Sequence, residues 1–343
     1  HTRLPMRSRG LGDVYKRQGW VQPERRQRQT GRRVAVIGSG PAGLACAQQL
    51  ARAGYGVTVF EKADRIGGLL RYGIPDFRLD KSILDRRLAQ LEAEGVEFRT
   101  GVHAGVNLPV DELRENTHAV VLACGSEQPR RLTVPGHELE GIHYAMDFLV
   151  QQNRRVAGSA MLSTPAITAQ DKNVAVIGGG DTGSDCVGTA IRQGARCVTQ
   201  LQYHEQPPDH VDVLDYWPEH VPEWHESDHD EEGCRHIWGY DTVAIKGAGK
   251  VNELVLQRLQ WRRQPDGRWV KQPLPDEVRR LPVQLVLLAM GYAHPGHEGL
   301  VDALGLALDE RGNVVASSGD YMTSVPGVFS CGDMRRGQSW IVW

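Results

Sequence analysis

One arrangement of apolar and polar positions occurs twice along the chain. An apolar run enters a glycine-rich turn, and apolar residues then recur every three or four positions. The first copy is VAVIGSGPAGLACAQQLARAGYGVTVFEK, residues 34–62, and the second opens with NVAVIGGGDTGSDC, residues 173–186. Each short apolar run predicts a strand buried on both faces. In the first copy Leu44, Ala47, Leu50 and Ala51 share one face of a helix, and VTVFE forms the next strand. The first βαβ unit therefore covers about 33–62. The second covers 172–202, with its helix over 182–192.

Between and beyond these units the pattern is less regular. RIGGLLRYGIPDFRLDK, residues 65–81, is too rich in glycine and proline for a regular element and reads as a long loop, a kind that is functional or disordered. A helix over 81–94 stops at Gly95, VEFRT makes a short strand, and AVVLACGS, residues 119–126, a buried one. Residues 127–170 read as mixed connection with a helical stretch over 145–152. Residues 206–233 combine Pro, His, Trp and acids in an irregular surface segment. TVAIKGAGKVNELVLQRLQW, residues 242–261, predicts a hairpin, continued by strand up to Val270. LPVQLVLLAMGY and VPGVFSCGD, residues 281–292 and 325–333, predict two further strands. Strands alternating with helices imply an α/β fold of mainly parallel sheets with helices on both faces.

Composition narrows the function. The chain has 343 residues, 40% of them hydrophobic, and a net charge of −2, enough for about two domains. No run approaches the roughly 18 to 20 apolar residues that span a bilayer. The balanced charge favours neither nucleic acid nor an acidic membrane. Cys46, Cys124, Cys186, Cys197, Cys234 and Cys331 are scattered and form no CxxC. That spacing suggests thiols used as small core residues in a reducing cytoplasm, with no redox-active pair of the usual spacing and no ferredoxin-type cluster run. The opening HTRLPMRSRGLGDVYKRQ lacks a starting Met, and its RGLGDVYKRQ resembles translated adapter sequence. Residues 1–30 are expected to be a non-native or disordered leader, and GQSWIVW at the other end to be the start of a helix cut short.

The glycine turns carry the chemistry. In Gly38-x-Gly40-x-x-Gly43 the first glycine permits a tight turn, the second admits a pyrophosphate to the backbone, and the third lets helix and strand pack closely. The phosphates meet unpaired N–H groups at the helix amino terminus. Glu61, closing the second strand, is placed to accept hydrogen bonds from ribose hydroxyls. The second turn, Gly178-x-Gly180-x-x-Gly183, is followed by Leu201, Gln202, Tyr203 and His204 where a ribose-binding acid would stand. This leaves NADH and NADPH both open. Two cradles suggest two dinucleotides, a resident flavin and a visiting nicotinamide. Hydride transfer between them requires alignment and exclusion of water rather than a catalytic acid, base or metal. The histidines from His204 to His236 fit no familiar metal-site spacing.

VAVIGSGPAGLACA, EKADRIGGLLRYGIPDFRLDK, NVAVIGGGDTGSDCVGTAIRQGA and VFSCGDMRRGQS, in this order, closely resemble the small (beta) subunit of glutamate synthase and its flavoprotein relatives, including the flavin region of dihydropyrimidine dehydrogenase. The resemblance covers roughly residues 31–343. It implies two Rossmann-like domains, the NAD(P)H domain (141–289) inserted into an FAD domain (31–140 and 290–343). Gly38, Ser39, Gly40, Pro41, Ala42, Gly43, Glu61 and Lys62 would then hold the ADP half of FAD. Gly68, Leu69 and Arg78 would approach the rest of that cofactor. Gly332 and Asp333 would meet its ribityl chain, and Gln338, Ser339, Trp340 and Ile341 its ring. Gly179, Gly180, Asp181, Thr182 and Gly183 would take the NAD(P)H pyrophosphate, with Ala289, Met290 and Gly291 nearby. Many relatives place two basic residues where Tyr203 and His204 stand, and another branch has an acid at Gln202, so the donor stays open here.

The resemblance further implies that electrons leave through iron–sulfur clusters in an amino-terminal domain absent from this chain. The partner would be a glutamate synthase large (alpha) subunit that makes glutamate. Two alternatives stand beside this reading: a flavoprotein serving a pyrimidine- or ferredoxin-linked acceptor, and a nucleotide-binding fragment without turnover.

Overall fold

The computed structural model describes residues 21–24, 29–159, 165–206, 232–264 and 268–338. Most of the expected leader, most of the 206–233 segment and the carboxyl-terminal Ser339, Trp340 and Ile341 lie outside these residues. The chain divides into two compact units. One comprises His1–Arg71, Asp80–Gln128 and Ala293–Trp343. The other comprises Tyr72–Leu79 and Pro129–Tyr292.

The first unit starts with β1 (Arg33–Ile37), α1 (Pro41–Arg52) and β2 (Gly56–Glu61). Then come α2 (Leu69–Tyr72), α3 (Lys81–Ala93), β3 (Val96–Thr100), α4 (Val110–Asn116) and β4 (Ala119–Leu122). The chain passes through β5 (Gln128–Pro129) into the second unit, with β6 (Ile142–Tyr144), α5 (Ala145–Val156), β7 (Asn173–Ile177), α6 (Asp181–Arg192), β8 (Cys197–Gln202) and β9 (Arg235–Trp238). Three long strands follow, β10 (Tyr240–Ala248), β11 (Lys250–Arg263) and β12 (Trp269–Pro282), and then β13 (Leu285–Leu288). β14 (Tyr292–His294) leads back to α7 (Leu300–Leu304), β15 (Val328–Ser330) and α8 (Asp333–Arg336).

In the first unit the sheet order is β15-β4-β1-β2-β3, with every neighbouring pair parallel. This is the 3-2-1-4-5 order of a doubly wound dinucleotide fold, whose ligand crevice opens where the order reverses, between β1 and β4. Alternation along β1 explains why its apolar run is continuous. Val34 and Val36 enter a core with Leu44 and Ala47 of α1 and Leu84 and Leu91 of α3, while Ala35 and Ile37 enter another with Leu113, Leu300 and Val301. Proline at the first position of α1 suits a place where an N–H has no helical partner, and Asp80 caps α3 by accepting from Ser82 N at 2.8 Å.

The second unit repeats the arrangement as β6-β13-β7-β8-β9, again all parallel. Its outer position beside β13 is filled by β6, which precedes β7 in the chain. The expectation of helices on both faces is corrected here. Val174 and Val176 pack on Phe148 and Leu149 of α5 and Val187 of α6, but Ala175 faces Ile245, Leu254 and Leu256 of the antiparallel sheet β10-β11-β12. The physical reason lies in the apolar alternation of β11. Val251, Leu254, Leu256 and Leu259 are buried, Leu254 and Leu256 completely, each contributing about 2 kcal/mol of burial. β12, with Pro273 and Pro275, is the largely exposed edge of that sheet, where a missing N–H is tolerated.

Candidate dinucleotide cradles

At the end of β1 each of the three glycines has a distinct environment. Gly38 has φ +102°, and a Cβ there would lie 2.5 Å from the carbonyl oxygen of Ala123, just past β4. A Cβ on Gly43 would lie 2.0 Å from the Gly38 carbonyl oxygen, so α1 approaches the turn more closely than any side chain allows. A Cβ on Gly40 would meet nothing within 4 Å. Gly40 is also the helix cap and makes no side-chain capping bond, which leaves the first amides of α1 facing open space. A tight turn, a tight helix and an open middle position together fit a pyrophosphate.

Glu61 is buried at the end of β2 beside this turn. Its Oε2 accepts from Ser39 N at 3.1 Å and from the Ser39 hydroxyl, and its Oε1 accepts from Ala63 N at 2.8 Å. Ser39 Oγ in turn accepts from Gly67 N at 2.9 Å, tying the long loop to the cradle. Gly68 closes against it, since a Cβ there would stand 3.0 Å from Gly40 Cα. Leu69 follows with half its surface exposed. Lys62 is exposed and pairs with Glu127. Gly332 and Asp333 follow β15, and Ser126 Oγ donates to the Asp333 carbonyl at 3.3 Å. Gln338 is exposed at the last described position.

Three thiols stand around this unit's core. Burial pushes the Cys124 thiol up to about 12, and a hydrogen bond with Cys46 together with burial raises Cys331. No disulfide joins any of the six cysteines. The pairing of Cys46 with Cys331 is invisible to spacing rules because 285 positions separate them.

The second cradle repeats the geometry. Gly178 has φ +125°, and its Cβ would lie 2.2 Å from the Ala289 carbonyl oxygen, just past β13. A Cβ on Gly183 would be 2.5 Å from the Gly178 carbonyl oxygen, while Gly180 again meets nothing within 4 Å. Ala289 N donates to Ile177 O at 2.8 Å, so Ala289, Met290 and Gly291 leave the sheet beside the turn. Asp181 and Thr182 open α6. Gln200, fully buried, donates from Nε2 to the Gly178 carbonyl at 2.9 Å.

Strand register aligns the two cradles residue by residue. Ile37 pairs with Phe60, and Ile177 pairs with Leu201, so Gln202 occupies the place of Glu61 and Gly179 that of Ser39. Where Ser39 donates to Glu61, the Gln202 side chain lies over Gly179: a Cβ on Gly179 would be 1.9 Å from its Oε1. The Gln202 Nε2 is buried without a hydrogen-bond partner. The next two residues are held by Trp261 of β11 and by Gly239, between β9 and β10. Trp261 Nε1 donates to the Tyr203 carbonyl at 3.1 Å, Gly239 N donates to the His204 carbonyl at 2.7 Å, and the His204 ring stacks on Trp261 at 5.0 Å. Burial lowers the pKa of His204, which disfavours a positive charge at this edge.

Arg78 is grouped with the second cradle. Its guanidinium pairs with Asp185 at 2.9 Å and with Asp181 at 3.4 Å, both on α6. Sequence reasoning missed Gln200, Asp185 and the buried Asn153, whose Nδ2 donates to the carbonyls of Tyr72 at 2.7 Å, Gly73 at 3.2 Å and Ile74 at 3.3 Å. A polar residue on the apolar face of its helix was the available signal for Asn153 and Asp185. Among the described residues no group of three or more His, Cys, Asp or Glu is placed to hold a metal, and no helix is long and apolar enough to cross a membrane.

Residues 32–342 match the model of the pyridine nucleotide-disulphide oxidoreductase family. The chain belongs to that family. It is 50% identical over 330 residues to the glutamate synthase [NADPH] small chain of Mycobacterium tuberculosis, covering 95% of this chain and 66% of that relative. It is 40% identical over 335 residues to the protein of the same name from Bacillus subtilis, covering 95% and 67%. The chain thus spans about two-thirds of the length of these small chains. In fold it is similar to Mycobacterium tuberculosis FprA in complex with NADPH, with a TM-score of 0.69 at 22% identity over 92% of this chain and 81% of that one.

Proposed function

We propose that this family member is the electron-input part of a glutamate synthase small chain, taking hydride from NAD(P)H onto FAD. The observation that carries the reading is the pair of matched cradles, each with a closed first and third glycine and an open second one. In this reading the first unit holds FAD and the second NAD(P)H. FAD supplies the capacity to take two electrons together and release them singly. The protein's part is to bind and orient. The amides of α1 face one pyrophosphate and those of α6 the other. Glu61, anchored by Ser39 and Ala63, presents a fixed carboxylate to the adenosine ribose. Leu69 offers an exposed apolar side chain next to Gly68. Asp333 completes the flavin side, and Ala289 to Gly291 the nicotinamide side.

The second cradle lacks a ribose-binding acid, because Gln202 stands where Glu61 stands in the first. A neutral amide neither repels a 2′-phosphate nor favours a free 2′-hydroxyl as a carboxylate does. Both donors are therefore compatible with it. Onward transfer goes to iron–sulfur clusters of the remaining small-chain sequence and to a large subunit that makes glutamate. This reading takes the reducing cytoplasm as the setting.

The test is anaerobic mixing of the FAD-loaded protein with NADH and NADPH separately, following loss of the flavin's long-wavelength absorption. Bleaching by at least one donor is expected. Bound flavin that neither donor bleaches refutes the reading.

A further inference from the structure

The segment Tyr72–Leu79 belongs to the second unit although it lies far from the rest of it in sequence. It is fastened along two helices of that unit. Asn153 of α5 holds three successive carbonyls at one end. The Arg192 guanidinium, at the carboxyl end of α6, sits 3.9 Å over the Phe77 ring. Arg78 reaches the other end of α6, where it meets Asp185 and Asp181.

These two acids differ in surroundings. The Asp185 side chain is 7% exposed and the Asp181 side chain 93%. Asp181 is the first residue of α6, next to the open Gly180, where a pyrophosphate would meet the helix amides. A carboxylate at that point competes with a phosphate for the same positive helix end, which carries only about half a unit charge. The Arg78 guanidinium, in contact with both, offsets part of the negative charge they bring to this end of the helix.

We propose that Arg78 is a positioning residue of the second cradle, offsetting Asp181 and Asp185 so that the first turn of α6 accepts a dinucleotide pyrophosphate. This role rests on NAD(P)H occupying that cradle. It is distinct from any direct approach of Arg78 to the flavin, and it gives the glycine- and proline-rich segment a function within the nicotinamide unit.

The test is calorimetric titration of the FAD-loaded protein with NAD+ and NADP+, alongside KM and kcat for both reduced forms. Arg78→Gln, measured per bound flavin, is expected to weaken binding and raise KM about tenfold, and the defect should shrink as salt screens it. Arg78→Lys retains the charge and should stay within about threefold of the parent. Adding Asp181→Asn to Arg78→Gln should recover most of the lost affinity, which a purely structural role of Arg78 would not allow. Asp181 is exposed, so Asp181→Asn alone carries the test if Arg78→Gln folds poorly. It should tighten binding about twofold to threefold.

Unchanged affinity in Arg78→Gln, no recovery in the double variant, or weaker binding in Asp181→Asn overturns the role. A parent protein that binds neither nucleotide overturns the cradle assignment itself, which separates the two failures.

Discussion

Replacing Gly180 with alanine adds one methyl group where the protein has room for it. The backbone at Gly180 has φ −82° and ψ −179°, which alanine adopts without strain, and no atom lies within 4 Å of the new Cβ. Alanine is a poorer helix cap than glycine by roughly 0.5 to 1 kcal/mol. The less flexible unfolded chain returns about 0.4 to 1 kcal/mol. Net stability should stay within about 1 kcal/mol, or about 3 °C in melting temperature. Binding is different, because the methyl fills the opening through which a pyrophosphate reaches the amides of α6. Losing two charge-assisted hydrogen bonds at about 1.5 kcal/mol or more each is a loss on the order of 100-fold in Kd. Gly40→Ala is the mirror experiment, since Gly40 has φ −68° and equally open surroundings. The assay is flavin content on purification together with calorimetric Kd for NAD+ and NADP+. Gly180→Ala should keep its flavin and lose nicotinamide binding, while Gly40→Ala should lose flavin. Nicotinamide affinity retained within threefold in Gly180→Ala, or the two phenotypes exchanged, refutes the assignment of cradles to cofactors.

Gln202→Glu places a carboxylate at the register position of Glu61 and should shift the NADH-to-NADPH ratio of kcat/KM about tenfold toward NADH, with no shift counting against that position facing the ribose. Glu94 is a second target: its burial would raise the carboxyl pKa, but hydrogen bonds from Arg52, Gln48 and Gln90 lower it from the ordinary 4.5 to about 2. A depressed carboxyl stabilises the fold above its unfolded pKa, and this contribution, roughly 3 kcal/mol, fades as pH falls from about 4.5 toward 2. Melting curves between pH 7 and 3 should therefore show a steeper acid loss in the parent than in Glu94→Gln. Asn153→Ala leaves three carbonyls of the Tyr72–Leu79 segment without their common donor and should cost about 1 to 3 kcal/mol, seen as faster limited proteolysis within that segment.

Much of the frame was legible because its signals are local. The apolar runs of β1 and β7, the glycine spacing and the Gly95 stop of α3 each depend on a few adjacent residues. The long Gly- and Pro-rich loop hid the four-residue helix α2, too short for a periodic signal. The apolar run 281–292 merged the end of β12 with β13, because hydropathy cannot mark where a strand changes sheets. The third sheet was half visible: its first hairpin was expected, but its role in covering β7 depends on tertiary packing. The cradle glycines were legible, and so was the register place of the ribose acid. The bond of Ser39 to Glu61 and the pairing of Arg78 with Asp185, 107 positions apart, were not, because neither partner's neighbours announce the other.

The outer slot of the second sheet is filled by the strand that leads into it rather than by one that follows. β6 runs directly beside β13, with Ile142 opposite Val286, so the inserted stretch begins and ends on adjacent rods of one scaffold. An insertion whose two ends meet can be excised from its host gene, or grafted into another, with little rearrangement of its own core. A piece cut at those ends would still lack the distant Tyr72–Leu79 ribbon, and Asp185 and Asp181 would lose their contacts with Arg78. Portability of this module therefore depends on an eight-residue strip encoded elsewhere in the reading frame.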